Sequence, residues 1–392
     1  MHVYLDNAAT TQVDPRVAIK VIKYMNDRFG NASSLHFKGR EAKKALEKAR
    51  HTIALSINAR ENEVFFTSGG TEGNNLILKG VAFANREKGN HIITTKTEHR
   101  SVLESCRWLE GQGFKVDYLD VDAEGFVDVK QLKNSITDKT VLVSVIHGNN
   151  EIGTLNDLTE IGKICRERGV YFHSDVCQSY TKSPIDATAM NVDFLTLNAH
   201  KIHGPKGVGA VYIREGVNIG KWRHGGPHES GLRAGTENIH GIVGFAEAVK
   251  IALSSKHVSY MTRLRDKLTE GVLTRIPYAK LNGSKGEKRL CNNAHFSFKF
   301  VEGEAIGSLL DDYGICSSTG SACSEKDLEP SYVLKAIGLN HEMMNGSLRL
   351  TLSRFTTEEE IDYVLEVLPA VIKKLREISP YKEKANVLSG DV

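Results

Sequence analysis

Short β-rich runs alternate with helical patterns along most of this chain, and that alternation constrains its fold more than any other feature. Candidate strands fall at 63–67, 91–95, 115–119, 141–146, 171–174, 194–197 and 209–213, most of them bounded by polar residues or glycine. Candidate helices fall at 72–85, 102–112, 158–168 and 239–254; in the last, Ile242, Val243, Ala246 and Val249 follow the i, i+3, i+4 rule. Parallel strands need crossover connections, and the crossovers lay helices on the sheet. The pattern therefore predicts an α/β fold with a mainly parallel sheet covered on both faces. Such sheets take ligands at the carboxyl ends of their strands. Beyond Tyr260 the pattern changes to a helix at 263–275, a strand near 294–300, and helices near 304–313 and 357–375, which reads as a smaller α+β domain. The expected division is a large domain at 15–258, with 1–14 and 259–392 forming the small one.

Composition removes several function classes. The 392 residues carry 51 Lys plus Arg against 48 Asp plus Glu, a net charge of +3, which argues against a strongly electrostatic nucleic-acid binder. No apolar run approaches the ~18 residues of a membrane helix, and the start Met1-His2-Val3-Tyr4-Leu5-Asp6 lacks the pattern of a signal peptide. A cytoplasmic protein, with no membrane and no nucleic-acid partner, is expected. The six cysteines at 106, 165, 177, 291, 316 and 323 form no CxxC pair and no zinc spacing, so reduced thiols are expected.

Four stretches carry chemistry. Phe66-Thr67-Ser68-Gly69-Gly70-Thr71-Glu72-Gly73 runs from a strand through small residues into a helix. Such a turn lets backbone N–H groups close on an anion at a helix N-terminus; an ordinary N-cap with a glycine turn fits the same residues. Phe172-His173-Ser174-Asp175-Val176-Cys177-Gln178 places Asp175 just past the end of a strand. A carboxylate there can keep a cofactor's ring nitrogen protonated or simply cap the next helix. Asn198-Ala199-His200-Lys201-Ile202-His203-Gly204 follows the strand at 194–197 and puts Lys201 at the same sheet edge. A lysine so placed can bond an aldehyde cofactor, although a lone lysine before a turn is ordinarily solvated. His200 and His203 are three apart, but no carboxylate or thiol cluster completes a metal site, and no metal is expected. The turn, the acid and the lysine, at strand ends taken in order, together suit one phosphorylated pyridine aldehyde. The fourth stretch, Cys316-Ser317-Ser318-Thr319-Gly320-Ser321-Ala322-Cys323-Ser324, reads as an exposed loop with Cys323 as a reactive thiol. Cys316, after apolar Gly314-Ile315, is expected to be buried and structural.

These motifs resemble cysteine desulfurases of the iron–sulfur-cluster type, within the class V aminotransferases and fold-type I pyridoxal 5'-phosphate enzymes. The resemblance runs from Tyr4-Leu5-Asp6-Asn7-Ala8-Ala9-Thr10-Thr11 to Ser379-Pro380. It includes Thr97-Glu98-His99, Asn149-Asn150-Glu151-Ile152-Gly153, Arg233-Ala234-Gly235-Thr236 and Gly320-Ser321-Ala322-Cys323. It implies a seven-stranded sheet in the large domain, a homodimer, and L-cysteine as substrate. Lys201 is then the lysine that bonds the cofactor aldehyde, Asp175 the partner of the ring nitrogen, and Gln178 that of the phenolic oxygen. His99 stacks on the ring and handles protons. Gly70, Thr71 and His200 hold the phosphate, and Thr236 reaches the phosphate of the other subunit. Asn150, which also contacts the cofactor, and Arg349 hold the substrate carboxylate, and Cys323 accepts the sulfur as a persulfide before passing it to an iron–sulfur scaffold or another acceptor.

The chain departs from the family pattern at a few positions. Asn198 stands where a serine often contacts the phosphate, and its amide can still donate. Cys177 occupies a position usually filled by alanine beneath the ring, where packing explains it best. Gly148 stands where an apolar residue is common. The loop around Cys323 and the tail after Ser379 resemble the branch of the family that serves a cluster scaffold. The competing readings are a selenocysteine lyase, a related transaminase, and a non-catalytic interaction protein. The thiol at Cys323 speaks against a transaminase, and the presence of Lys201, Asp175 and His99 speaks against a non-catalytic protein.

Overall fold

The computed structural model describes residues 1–319 and 331–380; Cys323 with its motif, and the tail from Tyr381, lie outside the described residues. After a short strand β1 (Val3–Tyr4), the chain forms helices α1 (Pro15–Asn26) and α2 (Phe37–Ser56) and then enters the large sheet. The sheet strands are β2 (Val64–Thr67), β3 (His91–Thr95), β4 (Lys115–Leu119), β5 (Thr140–Ser144), β6 (Tyr171–Asp175), β7 (Phe194–Asn198) and β8 (Gly209–Ile213). They lie in the order β2-β8-β7-β6-β5-β3-β4. Only β8 runs against the rest, pairing antiparallel with both β2 and β7. The mainly parallel seven-stranded sheet is as expected. It is built by helices α3 (Gly70–Ala84), α4 (Arg100–Glu110), α5 (Val129–Ser135), α6 (Leu158–Arg168) and α7 (Ile239–Ala252) between and after the strands.

Alternation of side chains feeds two cores, one on each face of the sheet. Ala210 and Tyr212 of β8 join Leu46 and Ile53 of α2 and Ile242 and Phe245 of α7 on one face. Val211 and Ile213 point the other way, onto Leu76 and Ile77 of α3 and Val102 and Leu109 of α4. The strands are consequently apolar on both sides, as buried parallel strands must be.

A separate core forms beyond α8 (Ser255–Arg275), around strands β9 (Ala279–Leu281) and β10 (Asn293–Phe298), helix α9 (Gly303–Asp312), and strands β11 (Ile315–Cys316) and β12 (Ser347–Thr351). Short helices α10 (Tyr332–Ala336) and α11 (His341–Asn345) precede β12, and α12 (Glu358–Ile378) follows it. The Thr357 side chain accepts the Glu360 N–H while Glu360 accepts the Thr357 N–H, a reciprocal cap that starts α12. Val3 and Leu5 from the N-terminal segment are buried in this core. Cys316 is exposed, not buried as its apolar neighbours led us to expect. It follows buried Ile315 in a two-residue strand paired with β1, and alternation turns its side chain outward.

Burial sets the acid–base behaviour of the fold. It holds His147, His173, His200 and His203 down at about 4 and His295 at about 3, against an ordinary value of 6.5. Below 6.5 the unfolded chain binds protons that the fold refuses, so stability falls with falling pH. Burial also pushes Glu98 up from 4.5 to about 8 and Glu151 to about 7. These acids stay protonated in the fold after the unfolded chain has lost their protons, so their contribution is lost as pH rises through 7 to 8. At pH 6.5 each histidine of the unfolded chain is still about half protonated, so the five histidines outweigh the two glutamates there, and the balance reverses only at about pH 7. The thermal midpoint of the cofactor-free chain is therefore expected to peak at about pH 7 and to fall on both sides; a midpoint that climbs steadily from about pH 7 to 8 contradicts this.

Candidate active site

Three chain segments meet at one edge of the large sheet: the turn from β2 into α3, the end of β6 and the end of β7. Antiparallel β8 begins at the same edge, and a Cβ on its first residue, Gly209, would stand 2.8 Å from the Gly69 Cα. Gly69 has φ +149°, a backbone angle that only glycine adopts freely, and the space where its side chain would be is open. That open space lies before the first N–H groups of α3, which is where an anion binds. Thr71 in the first turn is exposed. Glu72 steadies the turn by accepting the Ser68 N–H at 2.8 Å and the Arg233 guanidinium at 2.8 and 3.2 Å. Burial pushes the Glu72 carboxyl up, but Arg233 and Ser68 outweigh it and hold it at about 2.

Asp175 is the last residue of β6, which runs one residue further than expected, and pairs in register with Thr196 of β7. It is buried, and its two oxygens are each engaged. Oδ1 accepts the Cys177 N–H at 2.9 Å, and Oδ2 accepts the Asn74 amide at 2.8 Å. Asn198, the last residue of β7, is also buried, with an Oδ1 that has no partner among the described residues. Cys177 fills the space between the two ends: its thiol lies 3.6 Å from the Thr196 carbonyl, and burial pushes its pKa well up. A neutral packing role fits it better than that of a nucleophile.

Lys201 and Gln178 converge on one atom. The Lys201 Nζ donates to the Ala8 carbonyl at 2.6 Å, and the Gln178 Nε2 donates to the same oxygen at 2.9 Å. The N-terminal segment thus crosses the sheet edge, and Thr11 fastens it by donating from both N and Oγ1 to the His200 carbonyl. The His200 Nδ1 lies 3.2 Å from Thr10 Oγ1, while His203 turns its Nδ1 to the Gln12 carbonyl at 2.8 Å. The two histidines therefore engage different residues.

His99 caps α4 and is partly buried, with its pKa lowered by burial. Arg349, on β12, donates from Nη1 to the Asn150 carbonyl at 3.0 Å and from Nη2 to Asp6 at 2.9 Å. Its Nε and the Asn150 Oδ1 are buried without partners among the described residues. Thr236 is exposed, and no hydrogen bond ties it to this group among the described residues. Sequence reasoning missed Asn74, Ser101, Asp6 and the Ala8 carbonyl. For Asn74 a signal existed: it is a polar residue on a helix face otherwise lined by Gly73, Leu76 and Ile77.

The arrangement offers an anion seat, a buried carboxylate and a primary amine within one edge, with unpaired buried polar atoms beside them. A phosphorylated aromatic aldehyde would satisfy all three groups. Residues 3–364 match the aminotransferase class-V family, and the chain belongs to that family. It is 50% identical over 384 residues to a cysteine desulfurase IscS of Clostridium botulinum, with 97% of both chains covered. It is 49% identical to the cysteine desulfurase IscS of Methanosarcina thermophila, over 97% of this chain and 95% of the relative. Among solved structures, a NifS-like protein superposes with a TM-score of 0.90 at 38% identity, covering 95% of this chain and all of the other. SspA in complex with cysteine gives 0.82 at 33% identity, covering 91% of this chain and all of the other.

The contact between the turn and β6 yields a test. A Cβ added at Gly70 would stand 2.8 Å from the Cys177 Sγ, which is buried. Gly70→Ala is expected to destabilise the chain by about 1–3 kcal/mol through overpacking. The double variant Gly70→Ala, Cys177→Ala should recover most of that loss in denaturant unfolding. Additive losses would show that the two residues do not share this space.

Proposed function

We propose that this chain is a cysteine desulfurase: with pyridoxal 5'-phosphate it removes the sulfur of L-cysteine, yields L-alanine, and leaves a persulfide on Cys323. The sulfur then passes to an acceptor, an iron–sulfur scaffold protein or a tRNA-thiolation partner, in the cytoplasm. The carrying observation is the meeting of Lys201, Asp175 and the open N-terminus of α3 at one sheet edge. Half-identity to a cysteine desulfurase IscS over nearly the whole chain supports the choice of reaction.

In this reading Gly70, Thr71, Asn198 and His200 hold the phosphate, with Thr236 reaching the phosphate of a second copy in a homodimer. Asp175 holds the ring nitrogen, Gln178 the ring oxygen and Lys201 the aldehyde carbon. The shared contact of Gln178 and Lys201 with the Ala8 carbonyl supports the last two roles, because it brings both nitrogens close enough to serve neighbouring ring positions. When bound, the cofactor supplies an electron sink for the substrate Cα. Arg349 and Asn150 orient the substrate carboxylate. The Arg349 Nε, without a partner among the described residues, is an N–H such a carboxylate would satisfy, and arginine suits bidentate capture. The Lys201 amine takes the Cα proton, and His99 stacks on the ring and faces the reacting atoms. The Cys323 thiolate then attacks the substrate sulfur. The Cβ–S bond breaks with its electron pair left on the carbon side, which ends, protonated, as the alanine methyl, and a new S–S bond forms on Cys323.

Two variants separate the halves of this reading. Lys201→Ala is expected to lose the visible absorbance that pyridoxal 5'-phosphate acquires on the wild-type chain. Cys323→Ser is expected to keep that spectrum and to form no persulfide in a single turnover without reductant. An unchanged spectrum in the first variant removes Lys201 from its role. Normal persulfide formation in the second moves the sulfur to another thiol.

A further inference from the structure

We infer that Asn74 and Ser101 are positioning residues that hold His99 as a neutral imidazole with its proton on Nε2, so that His99 serves the reaction as an N–H donor and not as a base. The inference rests on the reading above only in taking His99 to face the reaction.

Asn74 is wholly buried in the first turns of α3. Its Nδ2 lies 2.8 Å from Asp175 Oδ2 and 2.8 Å from Ser101 Oγ. Turning the amide over would set its carbonyl oxygen against the Asp175 carboxylate, so the nitrogen must be where it is. Its two hydrogens are then spent, one on Asp175 and one on Ser101. A serine hydroxyl has a single hydrogen. With Ser101 Oγ accepting from Asn74, that hydrogen is left for the His99 Nδ1, 2.8 Å away. The Ser101 backbone N–H also donates to the same Nδ1, at 3.2 Å.

Nδ1 thus receives two donors and cannot carry a proton of its own. The neutral ring must carry it on Nε2. Nε2 makes no hydrogen bond among the described residues, so its proton is not committed to another group there. Charging the ring would require a proton on Nδ1, and with it the loss of the Ser101 hydroxyl bond. The charged groups that act on His99 are Asp175 at the end of β6, Lys201 after β7, and Arg100 on α4. Burial is the largest influence and opposes a positive ring, as do the two cations, while Asp175 favours one; the net direction is downward. A neutral imidazole held this way polarises a reacting atom by donation, a known alternative to acid–base transfer.

The test is nitrogen-15 NMR of the chain labelled in its histidine rings, near neutral pH, with and without pyridoxal 5'-phosphate. The His99 signals are assigned by their loss in His99→Gln. The expected result is an unprotonated Nδ1 and a protonated Nε2 in the wild type. In Asn74→Leu the Ser101 hydroxyl is free to accept, and the two signals should move toward an average of tautomers. In the cofactor-loaded enzyme, Asn74→Leu and Ser101→Ala should lower kcat for alanine release by at least about tenfold, with KM for L-cysteine changed less than about threefold. Ser101→Thr, which keeps the hydroxyl, should restore most of the rate. A protonated Nδ1 in the wild type overturns the inference, as does a wild-type tautomer in Asn74→Leu, or a kcat that Ser101→Ala leaves unchanged. Should Asn74→Leu fail to fold, the wild-type spectrum and the Ser101→Ala and Ser101→Thr pair still decide. Wild-type enzyme that turns over no L-cysteine yet shows the expected tautomer would refute the proposed function and leave the network standing.

Discussion

A carboxylate buried at the end of a covered strand cannot be left unpaired, and Asp175 is that carboxylate. Its needs organise the sheet edge around it. The backbone at Cys177 turns back to give one N–H, and α3 supplies the amide of Asn74. Through Asn74 the demand passes to Ser101 and to His99, and so fixes the start of α4. The N-terminal turn of α3 must then lie close against β6, near enough that Gly70 has no room for a side chain beside Cys177. An anion seat, an acid and an imidazole thereby become one connected object.

The other half of the site depends on the N-terminal segment. The Asn7 side chain donates to the Thr351 carbonyl at 2.7 Å, and the Ala8 N–H donates to Thr351 Oγ1 at 2.9 Å, so β12 pins this segment in place. The Ala8 carbonyl then faces Lys201 and Gln178, while Asp6 grips Arg349 on the same strand. Groups from the large sheet and from the second core are thus held in one geometry by neutral bonds of Asn7, Ala8 and Gln178 together with the charge-assisted bonds of Lys201 and Arg349, which are the stronger ones.

How much of this the sequence disclosed follows from the range of the forces involved. Strands at 91–95, 115–119 and 209–213 stand where alternation and turn residues put them, because their pattern is local. Helix α2 went unread, since its buried stripe of Ala42, Ala45, Leu46 and Ala49 is too weakly apolar to stand out among lysines and glutamates. Cys316 was misread because apolar neighbours say nothing about which way a two-residue strand turns its side chain. Lys201 and Asp175 were visible through their motifs. Asn74 and Ser101 were not, because what matters about them is a contact between residues 27 and 101 positions apart. A polar side chain in a helix pattern ordinarily reads as solvated.

The most direct measurement is the release of alanine and sulfide from L-cysteine by the purified chain, supplied with pyridoxal 5'-phosphate and a thiol reductant. The account predicts the two products in equal amounts. A preparation that carries the cofactor yet releases no alanine would contradict it, leaving the cofactor site but not the reaction assigned to it.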